Sequence, residues 1–185
     1  MMKRFVAAAA ILLGIFTGFA NPAEAAEETG ETFLENALIK ARAAYELTGL
    51  PSLADDSGLE VDFLNGEPGV FSSRYAGENC DDKKNIEKLL INLNDVPLGK
   101  RTARFRCIMV LKGPGFTDRI VSGTCEGSIA FKPRGYEGFG YDPVFIPEGY
   151  NKTFAEMEPS QKNGISHRSE ALQSLKEELY ELFGK

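Results

Sequence analysis

Apolar positions recur along this chain with two different periods, and the alternation between them predicts its elements. Thr32-Phe33-Leu34-Glu35 reads as a capping box, and Leu34, Leu38, Ala41 and Tyr45 follow at helical spacing until Gly49 and Pro51 break the pattern. Residues 51–54 and 58–63 are short β-prone stretches on either side of Asp55-Asp56-Ser57, which reads as an acidic turn presenting carboxylates at a strand end. A second helix is predicted from Asp81 to about Leu93, because Ile86, Leu89, Leu90 and Leu93 share one face. Residues 103–111 and 119–131 alternate or run apolar around Gly113-Pro114-Gly115, the pattern of a long hairpin in the middle of a sheet. A glycine- and aromatic-rich loop at 134–147 follows, then a short helix near 153–157. The last helix is predicted to start around Ser166, with Leu172, Leu175, Leu179 and Leu182 as its buried stripe.

A chain of 185 residues is long enough for one domain with a substantial core. Hydrophobic residues at 43% and charged residues at 26% exclude intrinsic disorder. The formal net charge of −6 and a pI near 5.0 argue against a nucleic acid polymer as partner, since that needs a basic face. A small anion held locally is compatible with it. Cys80, Cys107 and Cys125 have no metal-ligand spacing and cannot all pair, so reduced thiols are expected.

The first 25 residues differ in character from the rest. Lys3 and Arg4 precede an apolar run from Phe5 to Phe19, and Pro22 is followed by Ala23-Glu24-Ala25, the layout of a secretory signal peptide with an Ala-x-Ala cleavage site. A buried strand and helix, or an aberrant upstream fusion, stand beside that reading. The mature domain is expected over 26–185, with no membrane association of its own.

Three groups of residues invite chemistry. Asp55 and Asp56, with Ser57 and Gly58, offer oxygen ligands to a hard cation such as Mg²⁺ and a base for water, although such a cluster also suits a solvated turn. Phe139-Gly140-Tyr141-Asp142-Pro143 combines a ring that can stack on a base, glycine for close backbone approach and a carboxylate that can accept from ring N–H groups. A tight turn around a core aromatic fits it equally. Lys162, His167 and Arg168 form a positive spot, with His167 and Arg168 in the first turn of a helix capped by Ser166, where an anion is favoured. Glu35 and Lys40 on the first helix read as exposed charges when taken alone.

Taken in order, these segments resemble one family. Residues 28–37 (Glu-Thr-Gly-Glu-Thr-Phe-Leu-Glu-Asn-Ala), Lys40-Ala41, residues 54–59, Pro68-Gly69-Val70, Ser73-Arg74-Tyr75-Ala76-Gly77, Glu126-Gly127, residues 139–143 and Ser166-His167-Arg168 are similar to the inosine/xanthosine triphosphate pyrophosphatases, also called dITP/XTP diphosphatases. The likeness covers about residues 27–183.

The resemblance implies an α/β fold with a mixed central β-sheet flanked by helices, and two lobes around a nucleotide cleft. It implies hydrolysis of ITP, dITP and XTP to the monophosphate and pyrophosphate with Mg²⁺, by a cytoplasmic homodimer. By resemblance, Asp56 is the catalytic carboxylate at the metal, with Asp55 and Glu28 as acidic neighbours. Lys40 matches a triphosphate-contacting lysine and Ser57 a substrate contact. Phe139, Gly140, Tyr141, Asp142, Lys162, His167 and Arg168 match groups that recognise the base and clamp the nucleotide. The acids and the positive groups are then expected to face each other across one crevice. One departure stands out. Family members begin with a strand and a Ser/Thr-x-Asn-x-x-Lys phosphate loop, whereas here Asn21 is the sole upstream asparagine and no lysine follows it before Lys40. A family fold with impaired catalysis, or an exported nucleotide- or metal-binding protein, are the alternatives this departure raises.

Overall fold

A computed structural model describes residues 27–79 and 81–184. The signal-like segment, and the place where the phosphate loop was expected, lie outside the described residues. Apart from four 3₁₀ segments, the described residues form α1 Phe33–Thr48, β1 Ser52–Val61, α2 Asp82–Asn92, β2 Thr102–Lys112, β3 Arg119–Ile129, β4 Phe145–Pro147, α3 Pro159–Ile165 and α4 His167–Phe183, in that order. The strands form one sheet in the order β1-β2-β3-β4, and helices pack on both of its faces. This is the expected α/β layering. The sheet differs from the mixed one expected, since every pair among the described strands is antiparallel.

The N-terminal caps hold as their sequence dictates. Thr32 Oγ1 accepts from the Glu35 amide at 3.2 Å and Glu35 Oε2 accepts from the Thr32 amide at 3.0 Å, while Ser166 Oγ accepts from Ser169 N at 3.2 Å. The buried stripes, however, are rotated from those predicted. In α1 the core side is Phe33, Ala37 and Ala41, with Leu34 37% exposed. In α4 it is His167, Ala171 and Leu175, with Leu172 and Leu179 exposed. Small residues face the sheet in both helices because the helices lie close against it, and the leucines beside them are left at the boundary.

The main correction concerns residues 55–57. They form no turn: β1 runs unbroken through them, with Asp55 opposite Met109, Asp56 opposite Ile108 and Ser57 opposite Cys107. Local turn preference is worth little against a ten-residue ladder pairing with β2 on one side. Strand geometry then sends consecutive side chains to opposite faces. Ala54 and Asp56 join Ile108 and Val110 under α1, whereas Leu53, Asp55 and Ser57 lie on the face of Cys107, Met109 and Leu111, under α4.

Two glycines permit the close approaches. A Cβ on Gly58 would stand 2.5 Å from Gly69 O and Ser72 Oγ, so this position lets the 3₁₀ segment Gly69–Arg74 lie against β1 beside Asp56. A Cβ on Gly123 would stand 2.1 Å from His167 O, so glycine here lets α4 bring its first turn onto β3. The short helix expected near 153–157 is a 3₁₀ turn, Phe154–Glu156, and the end of the expected 134–147 loop is strand β4. Helix α3 buries no side chain, so it has no apolar stripe to read.

Candidate functional site

The α1 face carries a compact ionic cluster. Lys40, one turn beyond the buried Asn36 and Ala37, sends its ammonium 2.7 Å from Asp56 Oδ1 and 3.1 Å from Glu28 Oε1. Asn36 Nδ2 donates to Asp56 Oδ2 at 3.4 Å. Asp56 is 8% exposed, and burial pushes its pKa above the usual carboxylate value, with Lys40 and Asn36 opposing the shift and Glu28 adding to it. Lys40 and Glu28, matched to the site by resemblance, are thus brought to Asp56. Lys40 is no idle surface charge.

On the α4 face Arg168 organises a second cluster. Its Nε donates to Asp55 Oδ2 at 3.1 Å and its Nη2 to Ser57 Oγ at 2.7 Å. The Arg168 guanidinium carbon also lies 5.7 Å from the Phe139 ring centroid, and Lys162 Nζ lies 4.8 Å from the same centroid. Phe139 is 63% exposed, so one accessible ring has two cations near it. Asp142 is buried and already committed, accepting from Phe139 N at 2.9 Å and from Lys162 Nζ at 2.5 Å. Gly138 belongs to this turn, because a Cβ there would collide with Asp142 Oδ2. Gly140 N donates to Asp82 Oδ2 at 3.0 Å, and Tyr141 is a core residue whose hydroxyl donates to Ser72 O at 2.9 Å.

Three expectations therefore change. Asp55 is not a neighbour of Glu28 and Asp56: it emerges on the opposite face and is held by Arg168. The single crevice expected between acids and cations is instead two clusters back to back on β1, joined through the consecutive residues Asp55, Asp56 and Ser57. Two surface grooves, one beside Leu90, Phe131 and Pro133 and one beside Gly30, Leu38 and Arg42, are lined by neither cluster.

The third change is His167, which is not part of a positive spot. It is 6% exposed, with its ring stacked on Phe105 at 4.9 Å and 11°, and its pKa is pushed down to about 3, by burial first and then by Arg168 and Lys162. Its Nδ1 has no hydrogen-bond partner among the described residues. The unfolded chain takes up a proton at this side chain near pH 6.5, which the folded chain refuses until about pH 3. Stability is therefore expected to fall with falling pH across that window by about 1.4 kcal/mol per pH unit from this group. Urea unfolding at pH 7, 6 and 5 checks it: His167→Phe should flatten the slope by one proton, and an unaltered slope would show that native His167 takes the proton.

Sequence reading missed Phe105 and Gly123, and it quoted Asn36 and Gly58 without the roles they have here. The glycines gave no local signal, since each answers to a neighbour far along the chain. The described cysteines Cys107 and Cys125 are free and buried, as expected.

An antiparallel sheet covered by helices, with a carboxylate–ammonium cluster on one face of β1 and an arginine-held aspartate on the other, defines an α/β protein. The chain belongs to the Ham1 family, whose sequence signature matches residues 6–178. It is 53% identical over 157 residues to the dITP/XTP pyrophosphatase of Geobacillus kaustophilus, covering 85% of this chain and 77% of that one. To the dITP/XTP pyrophosphatase of Vibrio cholerae it is 53% identical over 152 residues, covering 81% and 76%. Among solved structures, the Staphylococcus aureus Ham1 protein superposes with a TM-score of 0.81 at 46% identity, over 85% of this chain and 81% of that one. A HAM1 protein from Coxiella burnetii gives 0.78 at 50% identity, over 84% and 80%.

Proposed function

We propose that this chain is a nucleoside triphosphate pyrophosphatase that hydrolyses ITP, dITP and XTP between the α- and β-phosphates, yielding the monophosphate and pyrophosphate and clearing these nucleotides from the pool. The observation that carries the reading is the Glu28–Lys40–Asp56 cluster, in a chain half identical to enzymes of that name. Asp56 is the group that takes the proton of the attacking water, and its raised pKa brings it towards the range where a carboxylate works as a general base. Lys40 neutralises charge on the phosphates and holds Asp56 in place through its 2.7 Å contact.

Mg²⁺ fits the donor set. Glu28 and Asp56 aim hard carboxylate oxygens at one cation, the Lys40 ammonium, so the pair is spaced to share a positive centre. Glu28 and Asp56 would be its protein ligands, with water and phosphate oxygens completing the shell. When bound, Mg²⁺ supplies charge neutralisation and Lewis-acid polarisation at the phosphates.

Phe139 offers the stacking face for the purine, with Lys162 and Arg168 both within reach of the same ring. Ser57 and His167 supply polar atoms beside Arg168, where the 6-keto edge of hypoxanthine or xanthine can accept a hydrogen bond that the amino group of adenine cannot. Asp55, Gly140, Tyr141 and Asp142 act behind these groups, orienting Arg168 and the Phe139 turn. In this reading one nucleoside triphosphate engages both clusters, with its phosphates at Lys40 and Asp56 and its base at Phe139.

No described helix is long and apolar enough to cross a membrane. We place the enzyme in the cytoplasm, where its substrates arise, and read it as a homodimer, which sedimentation at assay concentration checks.

The function itself is tested by Mg²⁺-dependent pyrophosphate release from ITP and XTP set against ATP. Comparable rates on ATP, or release that survives removal of all divalent metal, would refute it. In the same assay Arg168→Ala is expected to raise KM for ITP about tenfold, the worth of one charge-assisted contact. An unaltered KM would take Arg168 out of the nucleotide site.

A further inference from the structure

The Ser73-Arg74-Tyr75-Ala76-Gly77 motif has no part in the site as described above, yet its arginine stands beside it. Arg74 closes the 3₁₀ segment Gly69–Arg74, with Nη1 3.9 Å from Glu28 Oε2 and its guanidinium carbon 5.1 Å from the Phe71 ring centroid. That separation is an ion pair but no hydrogen bond. Lys40 approaches the same carboxylate at 3.1 Å. Among the described residues the Arg74 guanidinium has the Glu28 ion pair and the Phe71 ring contact but no hydrogen bond, so its planar fork keeps N–H donors for a ligand.

The backbone that carries it is fixed on three sides. Leu59 N of β1 donates to Ser72 Oγ at 2.9 Å, Asn85 Nδ2 of α2 to Ser73 O at 2.9 Å and the Tyr141 hydroxyl to Ser72 O at 2.9 Å. Asn85 Oδ1 also accepts from Ala76 N at 2.7 Å, just past the arginine. Gly58 makes room for the segment against β1. A long cationic side chain on a backbone this firmly held is a preorganised arm. The order of contacts gives it a direction: Asp56 touches Lys40, Lys40 touches Glu28, and Glu28 touches Arg74. With Asp56 at the scissile bond, Arg74 lies at the far end of the row, away from Ser57 and the ring of Phe139.

We propose that Arg74 is a binding residue for the terminal phosphates, gripping the β- and γ-phosphates of the substrate and then the pyrophosphate product. The assignment rests on the pyrophosphatase reading above. Guanidinium pairs with phosphate oxygens two at a time, which an ammonium cannot do.

The test is calorimetric titration of inorganic pyrophosphate and of IMP into the full chain, at two Mg²⁺ concentrations. Arg74→Met is expected to raise the pyrophosphate Kd at least tenfold at both concentrations and to leave the IMP Kd unaltered. Arg74→Lys, which keeps the charge and loses the fork, should fall between. Equal pyrophosphate Kd for wild type and Arg74→Met overturns the proposal. A parallel loss for both ligands overturns it too, and so does a loss that more Mg²⁺ restores, because the role would then be support of the fold or of the cation. Should Arg74→Met not fold, Arg74→Lys decides alone, and wild-type pyrophosphate affinity in it refutes the assignment. Wild-type chain that binds pyrophosphate but releases none from ITP would sink the hydrolytic reading, and the same Kd ratios would still judge Arg74.

Discussion

Replacing Asp56 by asparagine is expected to lower Mg²⁺-dependent pyrophosphate release from ITP by about 10³-fold, the middle of the range for loss of a positioned general base. Asparagine keeps the shape and the contact with Asn36 but cannot hold the water's proton, and it removes one of two oxygens shared around Lys40. The fold should survive. A raised carboxyl pKa means that the folded chain prefers the protonated form, so stability falls as pH rises from the ordinary aspartate value to the folded value, and that penalty persists at neutral pH. A neutral side chain at 56 removes the penalty, so the melting temperature at pH 7 is expected to hold or rise. Turnover near wild type in a folded Asp56→Asn protein would remove Asp56 from the mechanism. A collapsed melting curve would show that the residue serves the fold first.

The second large effect is structural. Arg101→Met is expected to destabilise the protein by about 3–5 kcal/mol, since it leaves several buried carbonyls without partners. Arg101 is 2% exposed and has no carboxylate partner among the described residues. Its Nε donates to Ile129 O at 2.8 Å, Nη1 to Leu93 O at 2.7 Å and Nη2 to Ala130 O at 2.9 Å. One side chain thereby ties the end of α2 to the start of β2 and the end of β3. For a chain of this size the loss corresponds to a melting temperature lower by about 10 °C. Arg101→Lys should recover little of it, because a single ammonium cannot satisfy three carbonyls spread around a plane. Urea unfolding measures both variants, and a difference below about 1 kcal/mol would mean that water or a relaxed backbone satisfies those carbonyls.

Much of the architecture was legible in the sequence wherever the signal was local. The Thr32/Glu35 capping box, the Ser166 cap and the hairpin around Gly113-Pro114-Gly115 all involve residues a few positions apart, and each is found where expected. The site was legible as a set of residues more than as an arrangement. Lys40, Asp56, Phe139, Lys162 and Arg168 gather into clusters, but local reading made His167 a cation and left the aromatics of residues 139–143 open between a stacking ring and a core residue. His167 and Tyr141 are both buried against partners distant in sequence: Phe105 stacks on the histidine and Ser72 O receives the tyrosine hydroxyl. Burial of that kind depends on what packs on top, and periodicity does not carry it.

The sequence by itself determined where helices begin, where the long hairpin runs and which side chains are chemically able to act, because caps, turns and apolar periods are encoded within a few residues. Only the tertiary structure decided which way those side chains point. Asp55 and Asp56 are adjacent and alike, yet one is held by Arg168 and the other by Lys40. The pairing of β1 with β2, some fifty residues away, makes the segment a strand, and a strand sends consecutive side chains to opposite faces.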